Sequence, residues 1–384
     1  MTTRDRSDAC PGAVQTHRAA DGQLARVRVP GGLLSAAQVQ VLAGSAVELA
    51  DGALELTSRG NLQLRGLAPD APAELARRLF GAGLLPSEAH ETARNVVASV
   101  LSGRSGGLLD VRPLVRAFDA GLVADPALAE LPGRFLVTVD DGRGDVTGLG
   151  GDVGLHAVAA DAVALTLAGT DSGLRAAPAD AHTLALDAAR AFLAERTAQG
   201  SQAWRLAELT DGVGAVAVRL AGHPVPGDRP APGTGPVVGA TEQVDGLVAL
   251  VGLVPLGRLT APALDVLVQV TAALGSEIQV TPWRSVVVPD LPDEFVDDVA
   301  TALHHAGLVF DAASPWAQVT ACAGLPGCAK SRADVRADAA HAVATGTLPV
   351  AGPQHWAGCE RRCGRPAGST DVLAVEDGYR IGAG

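Results

Sequence analysis

At 384 residues the chain is long enough for two or three domains. It is 47% hydrophobic and 3% aromatic, and its formal net charge of −12 excludes a general nucleic-acid binder. No apolar run approaches the ~18 to 20 residues of a membrane helix; the longest candidate, LVALVGLVPL at 247–256, contains Pro255, and a soluble cytoplasmic protein without a signal peptide is expected.

Residues 1–20 read as a flexible N-terminal tail in which Cys10 is an incidental thiol. From 21 to 87 the pattern predicts a ferredoxin-like unit, β-α-β-β-α-β. A first strand ends near Val29, and Ser35 N-caps a helix with Gln38 three residues on, as in a capping box. Gly44 is expected to stop that helix. Leu54 and Leu56 alternate against Leu62 and Leu64 as a hairpin. A second helix ends at Gly83, and Leu84–Leu85 is the expected closing strand.

Residues 88–221 follow as an α/β segment with the motifs TARNVVAS, DVRPL, LPGRFLVTV and GRGDV. Gly222 to Gly239 then holds five prolines and five glycines in eighteen residues, which predicts an exposed linker over 222–241. From 242 to 310 the first unit repeats. Thr260 lies 225 positions after Ser35, Arg284 lies 225 after Arg59, and Gly307 lies 224 after Gly83. Gly275 should stop the first helix of this copy, and Ile278 and Val280 should pair with Val286 and Val288.

The last segment, 311–384, carries Cys322 and Cys328 in CAGLPGC, then Cys359 and Cys363 in HWAGCERRCGRP. Four thiolates from two short loops can hold a [4Fe–4S] cluster. Two rivals stay open on spacing alone. One is structural zinc, although C-x5-C is wider than the usual zinc knuckle. The other is two disulfides, which a reducing cytosol disfavours. A helix expected over 329–342 would turn its N-terminal amides toward an anionic cluster.

In this order, LTSRGNLQLRGL, TARNVVAS, DVRPL, LPGRFLVTV, CAGLPGC and HWAGCERRCGRP resemble the sulfite/nitrite reductase superfamily over about residues 21–370. The resemblance implies an α+β fold: duplicated ferredoxin-like domains plus two α/β sulfite-reductase-type domains, related by a pseudo-twofold. It implies a tetrapyrrole between the halves, with the cluster on the C-terminal half alone. GRGDV, TPWRSVVV and the short chain after Cys363 lean toward the precorrin-3B synthase branch. That branch uses O2 to hydroxylate precorrin-3A, with γ-lactone formation, in aerobic cobalamin biosynthesis. Leu136 stands where the reductases tend to carry a second basic residue.

By motif position the resemblance puts Arg59, Arg94 and Arg134 on tetrapyrrole carboxylates, with Asn95 beside them and Arg284 as the repeat partner of Arg59. Planar guanidinium forks suit carboxylates. It makes Cys322, Cys328, Cys359 and Cys363 the cluster ligands. If the branch also uses a mononuclear non-haem iron, His355 is the best-placed ligand. Arg104-Ser105-Gly106-Gly107 is no dinucleotide fingerprint, so electrons are expected from a separate NAD(P)H- or ferredoxin-linked reductase. The alternatives are a sirohaem-containing sulfite or nitrite reductase and a non-catalytic iron–sulfur electron carrier. No membrane or nucleic-acid partner is expected.

Overall fold

The computed structural model describes residues 10–221 and 228–383. The first unit is built from β1 (His17–Ala19), β2 (Gly22–Val27), β3 (Leu33–Leu34), α1 (Ala36–Leu49), β4 (Ala53–Leu56), β5 (Leu62–Leu67) and α2 (Ala71–Gly81). The capping box at Ser35 forms in both directions, through Ser35 Oγ to the Gln38 amide and Gln38 Oε1 to the Ser35 amide. Leu56 faces Leu62 across the hairpin, so the alternating leucines share one buried face.

The first α/β domain follows, with β6 (Val96–Ala98), α3 (Arg112–Ala124), β7 (Val137–Asp140), β8 (Val153–Ala159), β9 (Ala162–Leu167), β10 (Thr170–Ala176), α4 (Ala181–Ala198) and α5 (Gly212–Ala221). The sheet runs β10-β9-β8-β7-β6, with β6, β7 and β8 parallel. The second ferredoxin-like unit comprises β11 (Gly239–Glu242), β12 (Val248–Leu253), β13 (Arg258–Thr260), α6 (Ala261–Leu274), β14 (Ile278–Val280), β15 (Ser285–Leu291) and α7 (Asp293–His305). The cysteine domain holds β16 (Val319–Ala321), α8 (Val335–Thr345), β17 (Gln354–Ala357), β18 (Thr370–Val375) and β19 (Gly378–Ala383).

The two ferredoxin-like sheets exchange strands. The first runs β1-β2-β5-β4-β13 and the second β11-β12-β15-β14-β3. Each half thus lends the short strand before its first helix to the other half. Arg258–Thr260 pairs with Ala53–Glu55, and Leu33–Leu34 pairs with Ile278–Gln279. One apolar core runs through both units, joining Leu42, Leu54, Leu62 and Leu75 to Leu259, Leu264, Ile278 and Leu303.

Several expectations need correction. Residues 10–20 are not a tail: β1 pairs with β2, and the Glu91 carboxylate accepts the amides of Ala13, Val14 and Gln15. Residues 1–9 lie outside the described part. Gly44 does not stop α1, which continues through buried Ser45 and Ala46 to Leu49. Gly275 does stop α6, in the left-handed conformation a C-cap requires. Leu84–Leu85 forms no strand, because β1 already occupies the free edge of β2; the leucines enter the core instead. In the second unit β11 takes the same edge, leaving one bridge between Leu253 and Val309. The helix expected over 329–342 begins at Val335, and the Asp334 side chain caps the Ala337 amide, so its N-terminus is already served. Of the linker, 222–227 lie outside the described residues; 228–238 form no helix or strand, and β11 begins at Gly239.

Candidate active site

A cleft of about 940 Å³ opens where the first ferredoxin-like sheet, the tip of the second hairpin and the cysteine loops meet. That volume lies within the ~300–1,000 Å³ of small-molecule sites. Among the described residues its walls carry eleven arginines and Lys330 against a single carboxylate, Glu55. A protein of net charge −12 therefore concentrates positive charge in one place.

The N-terminal wall is built by β2 and the β4–β5 turn. Arg26 and Arg28 lie two apart on β2 and its extension and so face the same way. Arg26 donates to Gln63 and to the Cys10 sulfur. Arg28 is 3% exposed, and its Nε and Nη2 have no hydrogen-bond partner. Burial, then the neighbouring Arg26, pushes the Arg28 guanidinium down to about 10. Burial and nearby Arg205 lower that of Arg59 as well. Two crowded, desolvated cations with no ion pair among the described residues are what a bound polyanion would relieve.

A chain of side-chain amides fixes this wall. Asn61 Oδ1 accepts the Val29 amide, and Asn61 Nδ2 donates to Asn95. Asn95 Nδ2 donates to the carbonyls of Gly133 and Thr92. Arg59 reaches the same Gly133 carbonyl, and the next residue, Arg134, stacks its guanidinium 4.9 Å from the Trp204 ring centroid.

The opposite wall comes from parallel strands. β16 and β17 run side by side, so Cys322 and Cys359 emerge together beyond their C-terminal ends. The Cys322 amide donates to Trp356, and the Gly358 amide donates to the Cys322 sulfur at 3.2 Å. Cys328 is set by the turn whose amide bonds Gly324, and Cys363 follows the turn at Cys359–Arg362. All four thiols line the cleft and are free. Burial, then the Cys322, Cys359 and Cys328 sulfurs, raises the Cys363 thiol.

The donor set fits a cluster better than zinc. Among the described residues the one trio of ligand atoms within 4.8 Å of one another is Asp140, Asp141 and Asp145, so no three of the four sulfurs are that close. Tetrahedral zinc, with bonds of ~2.3 Å, would bring sulfurs to about 3.8 Å. Four thiolates spread around a common space suit the larger iron–sulfur unit.

Arg59, Arg134, Arg284 and the four cysteines meet in the cleft. Arg94 and Asn95 do not line it. Arg94 is buried in a two-pronged pair with Asp119 and also donates to the Leu84 carbonyl. Its charge is spent on α3, which corrects its expected role at a carboxylate. Asn95 positions the wall from behind. His355 is fully buried on β17, outside the cleft lining; its Nδ1 lies 2.9 Å from Thr320 Oγ1 and its Nε2 has no partner. Burial, then Arg284, pushes His355 down to about 4. Adjacent Asp371 is occupied by Arg362 and Arg365. Among the described residues, two histidines and a carboxylate therefore do not assemble at His355. Leu136 points into an apolar cluster with Val97 and Val146, away from the cleft. The sequence reading missed Arg26, Arg28, Arg65 and Cys10.

The Nitrite/Sulfite reductase ferredoxin-like half domain matches residues 15–79 and again 240–306. A precorrin-3B synthase of Sinorhizobium sp. is 26% identical over 389 residues, covering 98% of this chain and 82% of that protein. A ferredoxin–nitrite reductase of Synechococcus elongatus is 28% identical over 393 residues, covering 89% of this chain and 74% of that protein. A ferredoxin-dependent sulfite reductase of Mycobacterium tuberculosis is 28% identical over 344 residues, and the chain spans only 62% of its length. The solved structure of the Mycobacterium tuberculosis NirA protein superposes with a TM-score of 0.71 at 23% identity, over 89% of this chain and 69% of that one, and shares the fold. No helix among the described residues is long and apolar enough to cross a membrane.

Proposed function

We propose that the chain is a precorrin-3B synthase of the sulfite/nitrite reductase superfamily of oxidoreductases. It would use O2 to hydroxylate precorrin-3A and close an acetate arm into a γ-lactone, with electrons from a separate ferredoxin-type or NAD(P)H-linked donor. The observation that carries this reading is the cleft, which among the described residues gathers eleven arginines, a lysine and four free cysteines. The extent of the match supports the branch, since the precorrin-3B synthase aligns over 98% of this chain. Leu136, turned into apolar packing, leaves one fewer cation for a permanently bound sirohaem.

Cys322, Cys328, Cys359 and Cys363 would hold a [4Fe–4S] cluster, which supplies single electrons when bound. The rest of the work falls to the chain itself. Arg26, Arg28, Arg59 and Arg134 take the peripheral carboxylates on one wall, as planar forks that fix the orientation of the macrocycle. Glu55, the one acid lining the cleft among the described residues, is held by Arg336 at 2.6 Å and so repels the substrate less. The Asn61–Asn95–Gly133 chain keeps Arg59 and Arg134 in register.

The sirohaem-dependent reductase is the second reading, favoured by Cys363 being an exposed thiol on the cleft. An anaerobic absorption spectrum, with iron, sulfide and extractable tetrapyrrole measured on the same sample, separates the two. About four irons and four sulfides without sirohaem, and precorrin-3A turnover that needs O2, would support the synthase. Sharp sirohaem bands with sulfite or nitrite reduction would replace it.

A further inference from the structure

Arg284 is a cleft arginine that reaches from the second ferredoxin-like unit to the loop of Cys359 and Cys363. It sits at the tip of the β14–β15 hairpin in a left-handed conformation, φ 58°, which a non-glycine residue adopts only at a cost. Its Nη2 donates to the carbonyl of Gly364, the residue after Cys363, at 2.9 Å. Gly257 makes room for it: a Cβ there would stand 2.8 Å from Arg284 Cδ, and Gly257 itself has a φ of 69°. Two arginines of that loop differ: Arg362 and Arg365 share Asp371, and Arg362 also pairs with Glu360. Arg284 makes no ion pair among the described residues, and burial lowers its guanidinium pKa.

We propose that Arg284 is an electrostatic relay between the tetrapyrrole cleft and the cysteine loops. In the open cleft its uncompensated charge favours the reduced cluster; a ligand carboxylate that pairs with it withdraws that support. This rests on the reading that the four cysteines hold a [4Fe–4S] cluster. One-electron reduction adds one negative charge there, while Arg284 stays protonated throughout, so Arg284 stabilises the reduced form more than the oxidised one. By linkage, polycarboxylate binding and reduction oppose each other through Arg284. Arg284 is thus a positioning residue, acting through the cluster loop and not on the reacting carbon.

The test is a dithionite titration of the purified holoprotein followed by EPR, with and without uroporphyrin as polycarboxylate probe. Iron and sulfide are counted in every sample. Wild type should shift to a more negative potential when uroporphyrin is added. Arg284→Met should start more negative than wild type and shift less on binding, and Arg284→Lys should restore most of both effects. Gly257→Ala, which displaces the side chain without removing its charge, should fall between. Arg134→Met, on the far wall, should leave the starting potential near that of wild type. Equal potentials in wild type and Arg284→Met, both with intact clusters, would overturn the relay. So would a uroporphyrin shift undiminished in Arg284→Met. Iron and sulfide absent from wild type would instead sink the cluster reading itself.

Discussion

Arg28 and Arg94 show how the same side chain serves two purposes. Arg28 is buried with two unpartnered nitrogens facing the cleft. Arg28→Met removes an uncompensated buried charge and one charge-assisted contact to a ligand. A lost contact of about 1.5–3 kcal/mol weakens uroporphyrin binding roughly ten- to hundredfold, measured by fluorescence quenching, while the melting temperature holds or rises. Arg94→Ala does the opposite. It strands Asp119 and should cost about 3–5 kcal/mol of stability, read by urea unfolding, with little change in uroporphyrin affinity per folded molecule. Arg28 was missed although its pattern is local: the spacing of Arg26 and Arg28 in RVRV puts both on one face of a strand, but nothing nearby in the chain marks that face as a cleft wall. Arg94 was misread. Its motif carries an arginine in the expected place, and only the fold brings Asp119 of α3, 25 residues on, within 2.7 Å.

At the scale of elements, the residues before β1 become a wall because one carboxylate collects three backbone amides. Glu91 accepts from Ala13, Val14 and Gln15 at 2.7–3.1 Å. Gly12 lies so near that a Cβ would stand 2.1 Å from the Glu91 carboxyl carbon. Each of these bonds is charge-assisted, worth about 1.5–3 kcal/mol. Glu91→Ala should therefore raise amide exchange at 13–15 roughly tenfold or more, by hydrogen–deuterium exchange mass spectrometry. Unchanged protection would show that β1 alone holds the segment. The sequence could not show this, since a polar opening rich in small residues reads as tail until its acceptor, some 77 positions away, is known. The cysteine loops were legible because spacing within each pair is local. What brings Cys322 beside Cys359 is parallel pairing of β16 and β17, a non-local event that the spacing does not encode. The hairpins were legible for the same reason as the cysteine pairs, the short range of their alternation.

Across the whole molecule, the repeat was visible in the sequence, but the exchange between its copies was not. Leu33–Leu34 and Arg258–Thr260 are too short to announce themselves as strands, and each pairs with the other half. The consequence is thermodynamic. Without residues 239–310 the first sheet loses its β13 edge, and Leu42, Leu54 and Leu62 lose Leu259, Leu264 and Ile278 from a shared core. The exposed edge of β4 and the bared apolar face would favour aggregation over folding. Residues 1–221 expressed alone should therefore give no cooperative thermal transition. The full chain should unfold its ferredoxin-like pair in one step, seen as coincident melting by far-ultraviolet and tryptophan signals. An isolated first half that melts sharply on its own would mean that the exchanged strands decorate two finished domains instead of completing them. The cleft would then be an interface between independent bodies. A shared core makes it a fixed site, and a fixed site is what lets Arg65 of the first half keep its contact with Gly327 of the cysteine domain.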